Sequence, residues 1–353
     1  MALYTMALTT LLLRPTLGYT LNLMPSFNNY TFPVEHISLP GNLDGAKANS
    51  SVNASTSDFW YFDTQPGVVG PSTAVEVVFF NFPDLGTSQP LVVQVTGAFS
   101  NGTRFHKNVE ATDGATITND ENGVRGEWKG VDATFLGTPL DKPNVTYTIT
   151  IDSDEIELVP YLYWANAVPD AAADVDITID GERISFVNGV GYHDKNWADK
   201  SIIKSHKFWD WGHAQFGPYS VVWFVVTEKD NSTHPYTYVA KDGEPVHVAC
   251  GAGFVNVQQW GGLAANPPST GLNDVDGLIV TFGLEDSQTL VANVTKTAIV
   301  LDEVVHQRAN GVVSGRILDS DLTYDGFADF EEYIIGFIDV EVSRSEYGGI
   351  RIA

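Results

Sequence analysis

Cationic side chains are scarce: 19 Lys and Arg stand against 44 Asp and Glu in 353 residues, a formal net charge of -25. A field of that sign repels phosphate backbones and anionic headgroups, which argues against nucleic acid or a membrane surface as partner. Cysteine is nearly absent. The single Cys250 excludes an intramolecular disulfide framework and a thiolate metal site, and reads as a small hydrophobe buried on a strand. No apolar run approaches the roughly 20 residues of a membrane-spanning helix, and no stretch holds a helical period. A G-x-S-x-G elbow, an H-E-x-x-H pair, a phosphate-binding glycine loop and a dinucleotide fingerprint are all missing.

What is present is β-structure. Short runs of β-branched and aromatic residues recur between turn residues: AVEVVFFNF from Ala74, PLVVQVTGAF from Pro90, EWKGVDATFLG from Glu127 and VTYTITIDS from Val145. Asp180-Gly181 and Asp242-Gly243 sit between alternating runs and predict tight hairpins. Later come YSVVWFVVTE, GLIVTFGL and TLVANVTKTAIVLD, then FEEYIIGFIDVEVSR, which reads as helix or strand. The expected fold class is all-β, with a sandwich or lipocalin-like domain over 19–200, a lipocalin-like barrel over 201–353, and a pocket between them. Residues 265–274, ANPPSTGLND, are long and turn-rich enough to form a rim or lid.

The amino terminus carries an apolar stretch from Met6 to Leu13 followed by small residues near Gly18, so residues 1–18 read as a signal peptide. Asn-x-Ser/Thr triplets at Asn29, Asn49, Asn53, Asn101, Asn144, Asn231 and Asn293 add the expectation of a glycoprotein in the secretory lumen or outside the cell.

Chemistry concentrates in two stretches, GYHDKNW from Gly191 and WDWGHAQFGPYSVVWF from Trp209. In extended chain, side chains two apart share a face. Trp209, Trp211 and His213 therefore lie together, as do Tyr219, Val221 and Trp223 on the returning strand. His193, Lys195 and Trp197 oppose Tyr192, Asp194 and Asn196. Upstream, SDFWYFDT places Asp58, Trp60 and Phe62 on one face and Phe59, Tyr61 and Asp63 on the other. So many polar tips among indoles call for partners or a ligand. His193, His206, His213 and Asp210 follow no metal-ligand spacing, so no metal is expected. Paired carboxylates for glycoside hydrolysis stay open, since acids are abundant and tryptophans make sugar platforms.

FWYFD, GYHDKNW, WDWGHAQFGPYSVVWF and the carboxy-terminal FEEYIIG occur in an order that resembles the hydroxyneurosporene-synthase-like proteins, most closely their fungal Diels-Alderase branch. The resemblance spans nearly the whole chain. It implies two β domains related to sandwiches and lipocalins, no cofactor, and a polyene, terpene or quinone-methide substrate held between them. The activity implied is a stereoselective [4+2] cycloaddition in secondary metabolism. The leader, the triplets and the length further resemble hetero-Diels-Alder enzymes that join an o-quinone methide to a humulene-type terpene. No tryptophan follows Trp260, so a role filled elsewhere by a carboxy-terminal indole falls here to Phe327, Tyr333 or Phe337.

A cycloaddition needs two π systems held face to face, with a donor aimed at the electron-poor partner. On that reading His193, Asp194, Trp211 and His213 form the catalytic set, and Asp58, Trp60, Phe62, Lys195, Trp209, Tyr219 and Trp223 line the substrate. The rivals are a lipocalin-like carrier of a terpenoid or pigment, a secreted carbohydrate-active hydrolase, and a hydratase on the same fold.

Overall fold

The computed structural model describes residues 18–30, 34, 41–53, 55–68, 73–83, 85–142, 145–151, 164–198, 206–266, 268, 275–284, 287–303 and 305–334. Twenty strands and no helix occur among them. In chain order they are β1 Tyr19–Leu23, β2 Ser57–Gln65, β3 Ala74–Asn81, β4 Leu91–Ala98, β5 Arg104–Glu110, β6 Ala115–Asp120, β7 Gly123–Trp128, β8 Ala133–Gly137, β9 Tyr147–Thr150, β10 Trp164–Ile179 and β11 Glu182–Ala198. There follow β12 His206–Phe216, β13 Tyr219–Glu228, β14 Thr233–Lys241, β15 Glu244–Cys250, β16 Val255–Trp260, β17 Gly277–Gly283, β18 Thr289–Asp302, β19 His306–Ile317 and β20 Tyr324–Ile334.

The strands form three antiparallel sheets. A five-stranded sheet runs β1-β6-β7-β8-β9, a six-stranded sheet β10-β11-β2-β3-β4-β5, and a nine-stranded sheet β15-β14-β13-β12-β20-β19-β18-β17-β16. Both Asp-Gly pairs turn hairpins as the sequence predicts. Asp180 and Gly181 take φ of 52° and 83°, Asp242 and Gly243 54° and 81°, the left-handed pair that matches the twist of the flanking strands. The FEEYIIG segment is strand through Ile334. Cys250 lies on a strand as expected, but its side chain is exposed rather than buried, because β15 is an edge strand and Cys250 shares the outward parity of Val246 and Val248.

The first two sheets close a sandwich filled by aromatic rings: Trp60 meets Trp128 at 5.7 Å and Phe135 at 5.2 Å between centroids. The nine-stranded sheet curls until β16 approaches β13 and β14, and Trp223, Phe216, Phe282 and Phe330 pack inside the curl. Between sandwich and curl lies a third layer in which Phe59, Tyr61, Phe80 and Tyr192 meet Trp209, Trp211, Val222 and Phe224. The six-stranded sheet is thus covered on both faces. This is why β3 and β4 are buried at every position and why their sequences read as near-continuous apolar runs. Each large ring so buried contributes about 1.5–3 kcal/mol from area alone.

Candidate functional site

Alternation along the central strands sorts the expected residues into three separate layers. Asp58, Trp60, Phe62, His193 and Lys195 point into the sandwich. His193 stacks on Phe62 at 3.9 Å and 10°, with Nε2 3.1 Å from Asp44 Oδ1 and Nδ1 2.7 Å from the Tyr61 carbonyl. Asp44 also accepts from Tyr147 Oη at 2.6 Å. Lys195 is fully buried, pairs with Asp58 and lies 3.8 Å over the Trp60 ring. Burial pushes its ammonium down, against the pull of Asp58. Asp58 in turn accepts the backbone N–H groups of Lys47 and Ala48 at 2.7 and 2.9 Å. These groups answer one another and clamp the 44–48 loop onto the sandwich, so their surroundings are those of a structural lock.

Tyr219 and Trp223 face the interior of the curl, on the side of the sheet opposite Trp211. The register sets Trp223 across from Gly212, and Phe224 across from Trp211. A Cβ at Gly212 would meet Trp223 Cζ2 at 2.3 Å, so the glycine is what lets that indole lie flat beneath the strand. Asp210 also faces inward and sits opposite Glu332 on β20. Burial, then the Glu332 charge, pushes the Asp210 carboxyl well up, and burial pushes Glu332 up as well. The two share a proton, and Gln259 donates to Glu332.

The expected pocket is therefore not a single chamber lined by all of these residues. Nor do His193, His206, His213 and Asp210 converge. Asp194, Trp209, Trp211 and His213 do share the middle layer, and there the structure adds residues that the sequence did not single out. Three adjacent strands place three rows across one face: Trp209, Tyr333 and His306; Trp211, Glu331 and Arg308; His213, Asp329 and Asn310. Tyr61 and Asp63 of β2, Glu76 of β3, and Tyr192 and Asp194 of β11 look down on this array from the sandwich.

Trp209 stacks on Tyr333 at 4.3 Å and 6°, so Tyr333, of the three aromatics named for the missing indole, meets a tryptophan. Phe327 is half-buried, and Phe337 lies outside the described residues. Tyr192 stacks on His213 at 5.0 Å and meets Trp211 at 5.1 Å. Its hydroxyl donates to Asp194 Oδ2 at 3.0 Å. Burial, then the Asp194 charge, holds that phenol neutral.

The polar centre is Asp63, His213 and Asp329, whose ligand-type atoms all lie within 4.8 Å of one another. His213 Nε2 is 2.9 Å from Asp63 Oδ1, and Tyr61 Oη donates to Asp63 Oδ2 at 2.9 Å. The three are 8, 2 and 3 % exposed. Burial, then the Asp63 charge, pushes the Asp329 carboxyl well above the carboxylate range, and Arg308 offsets this incompletely. On the next residue of the same face, Glu331, burial acts in the same direction, yet Arg308, His306 and Trp209 together pull the carboxyl below its ordinary value. The array thus offers one carboxyl that keeps its proton beside one held as an anion. Environments that separate a pair of acids in this way are how a fold prepares acid chemistry at neutral pH.

A separate open cleft of about 470 Å³ lies between Gly102 and Arg104 of the sandwich and the Lys296–Asp302 stretch of β18. It holds the Arg104–Asp302 ion pair at 3.1 Å and, among the described residues, no aromatic lining and none of the expected site. Of the glycosylation triplets, Asn29, Asn49, Asn101, Asn231 and Asn293 are exposed. Asn53 is a correction: it is buried, and its Nδ2 already donates to the Tyr30 carbonyl at 3.0 Å, which leaves a glycan no exit. Asn144 and residues 1–17 of the leader lie outside the described residues, as do 269–274 of the expected lid.

Residues 138–258 match the family model described as Diels-Alderase-like. A quinolone epoxide rearrangement protein of Penicillium thymicola is 33 % identical over 85 % of this chain and 91 % of its own length. The chain belongs to the fungal Diels-Alderase-like family. A second quinolone epoxide rearrangement protein, from Emericella nidulans, is 30 % identical over 87 % of this chain and 91 % of its own. A Diels-Alderase of Aspergillus flavipes is 25 % identical over 55 % of this chain and 54 % of its own. The crystal structure of CghA with Sch210972 superposes with a TM-score of 0.74 over 90 % of this chain and 99 % of that one at 17 % identity, which shows a shared fold. Members of this family are cycloaddition or rearrangement enzymes of fungal secondary metabolism, and the chain is such an enzyme. That finding displaces the carrier and the carbohydrate hydrolase. No helix among the described residues is long and apolar enough to cross a membrane.

Proposed function

We propose that the chain isomerises an epoxide carried on a flat heteroaromatic body of quinolone type, by acid-assisted ring opening between the two β halves. The observation that carries this reading is the buried Asp63, His213 and Asp329 group, in which burial and the Asp63 charge favour the protonated form of Asp329. A cycloaddition asks of such a group only a hydrogen bond to the electron-poor partner, whereas an oxirane opens when its oxygen is protonated. Asp329 gives its proton to that oxygen as the C–O bond breaks. The carbon left electron-poor is met by the π faces of Trp211, Tyr61 and Tyr192. A group within the substrate then closes on that carbon, and the proton lost from the product returns to the carboxylate, so atoms and charge balance over the cycle. His213 and Tyr61 hold Asp63, whose charge favours the protonated form of Asp329.

A second reading, stereoselective [4+2] closure, is favoured by the stacked rings of the middle layer and by the Diels-Alderase relatives. Its finer form joins an o-quinone methide to a humulene-type terpene. Turnover of an aryl quinolone epoxide by chelator-treated enzyme separates the two. The acid reading expects conversion to one isomer and a loss of about 100-fold or more in Asp329→Asn. Conversion of a diene or quinone methide with Asp329→Asn fully active would favour cycloaddition. Activity lost to chelator and restored by a divalent ion would overturn both readings.

A further inference from the structure

Besides Asp194, which receives Tyr192 Oη at 3.0 Å and Asn196 Nδ2, four carboxyl groups share the dry middle layer, and they are not equally provided for. Glu331 receives Trp209 Nε1 at 2.9 Å, His306 Nε2 at 2.8 Å and Arg308 Nη2. Glu76 receives Thr96 Oγ1 at 2.6 Å and pairs with Arg308 Nη1. Asp63 receives Tyr61 and meets His213, both at 2.9 Å. Asp329 Oδ1 alone of these has no hydrogen-bond partner. The Arg308 Nε that faces it is 3.8 Å away, beyond hydrogen-bond reach. An ionised carboxylate without donors is the costliest of the four to keep in a low-dielectric layer.

We propose that Arg308 is a positioning residue that decides which carboxyl of the layer carries the catalytic proton: it fixes Glu331 as an anion, pairs with Glu76 and leaves the proton on Asp329. Its guanidinium lies 4.7 Å from the Tyr61 ring and 5.4 Å from the Trp211 ring, so the fork is held flat between the halves while its two arms reach opposite sheets. Lysine, a single point charge, cannot serve both arms. The groups facing it are Tyr61 and Asp63 of β2, Glu76 of β3, Tyr192 and Asp194 of β11, His213 of β12, His306 of its own strand, and Asp329 and Glu331 of β20. Arg308 is the one fixed cation among them. Removing it lets Glu331 take up a proton and makes Asp329 release its own less readily.

The use of that proton rests on the epoxide reading, but its location does not, so the test begins without substrate. Infrared difference spectra in H2O and D2O detect protonated carboxyl groups directly, and an Asp210→Asn/Glu332→Gln background removes both carboxyls of the pair that faces the curl interior. In that background the chain is expected to show one protonated carboxyl at neutral pH. Asp329→Asn abolishes the band, Glu331→Gln keeps it, and Arg308→Gln gains a second one. A band that survives Asp329→Asn, or that vanishes in Glu331→Gln, overturns the assignment. Arg308→Lys, which retains the charge, gives the activity arm: the alkaline limb of the pH–rate profile moves up by about one pH unit and kcat falls at least tenfold with KM changed less than threefold. A lower Tm with the limb unmoved would reduce Arg308 to a structural clamp. If no epoxide is turned over while the infrared pattern holds, the epoxide reading fails and the proton assignment stands.

Discussion

His193 and His213 look equivalent in sequence, each flanked by aromatics and near an acid, yet the six-stranded sheet separates them. Substituting each by glutamine should give opposite outcomes in turnover. At position 193 the change disturbs contacts to Asp44 at 3.1 Å and to the Tyr61 carbonyl at 2.7 Å, and a ring stacked on Phe62 at 3.9 Å. A hydrogen bond to a charged group is worth about 1.5–3 kcal/mol and an aromatic pair about 0.5–1.5 kcal/mol. His193→Gln should therefore lose about 2–4 kcal/mol of unfolding free energy while each folded molecule turns over normally. For His213 the contacts at stake are the one to Asp63 at 2.9 Å and the ring stacked on Tyr192 at 5.0 Å, so His213→Gln should also cost about 2–4 kcal/mol, and turnover is what separates the two. That of His213→Gln should fall about 100-fold, the scale of an acid–base group. Urea titration followed by tryptophan fluorescence reads the first quantity, and product formation per folded molecule reads the second. A His193→Gln enzyme of unchanged stability but abolished turnover, or a His213→Gln enzyme at full rate, would refute the partition into layers.

Two further outcomes follow from groups outside the middle layer. Asp210 keeps its proton in the folded state above the pH at which the unfolded chain releases it, so its stabilising share is complete below about pH 4 and is lost as pH rises through the folded value. Asp210→Asn should thus be more stable than the parent at pH 7–8, by about 1–3 kcal/mol, with the advantage gone near pH 4. Thermal melts across that range would show it, and an advantage independent of pH would contradict the shared proton. We also propose secretory routing. Chain recovered from the medium of a fungal culture should carry glycans at Asn101 and Asn231 and none at Asn53, as mapped by enzymatic deglycosylation in heavy water, and an unmodified secreted chain would oppose it.

Much of the fold is written in local chemistry. The Asp-Gly turns and the two-residue alternation of WDWGH and YHDKNW each determine a local geometry that the folded chain repeats. The site is less legible for a reason specific to this sheet. Where both faces of β2 and β11 are buried, alternation tells which residues travel together but not which face meets the other half. His193 and Trp60 thus read as partners of Trp211 when they lie behind it. Trp223 misleads in the same way, because its side follows from pairing with Gly212 across the hairpin and not from its neighbours in sequence. Arg308, Asp329 and Glu76 lie in no motif, and FEEYIIG contains Glu331 without marking it. Their only signal is polar residues at every second position, H-Q-R-A-N and D-F-E-E, inside strands otherwise apolar, and that pattern gains meaning once β19 and β20 are known to lie side by side.

The placement of β20 between β12 and β19 bears on how the molecule is made. The strand that completes the nine-stranded sheet, and that brings Asp329, Glu331 and Tyr333, is translated more than a hundred residues after the β12 edge it must join. Until it has left the ribosome, β12 shows an open edge with Trp209 and Trp211 uncovered, while the sandwich ahead of it has already been synthesised. A nascent chain is therefore expected to hold a finished amino-terminal half beside a sticky, incomplete one, and the acid centre comes into being with the last of the described strands to arrive.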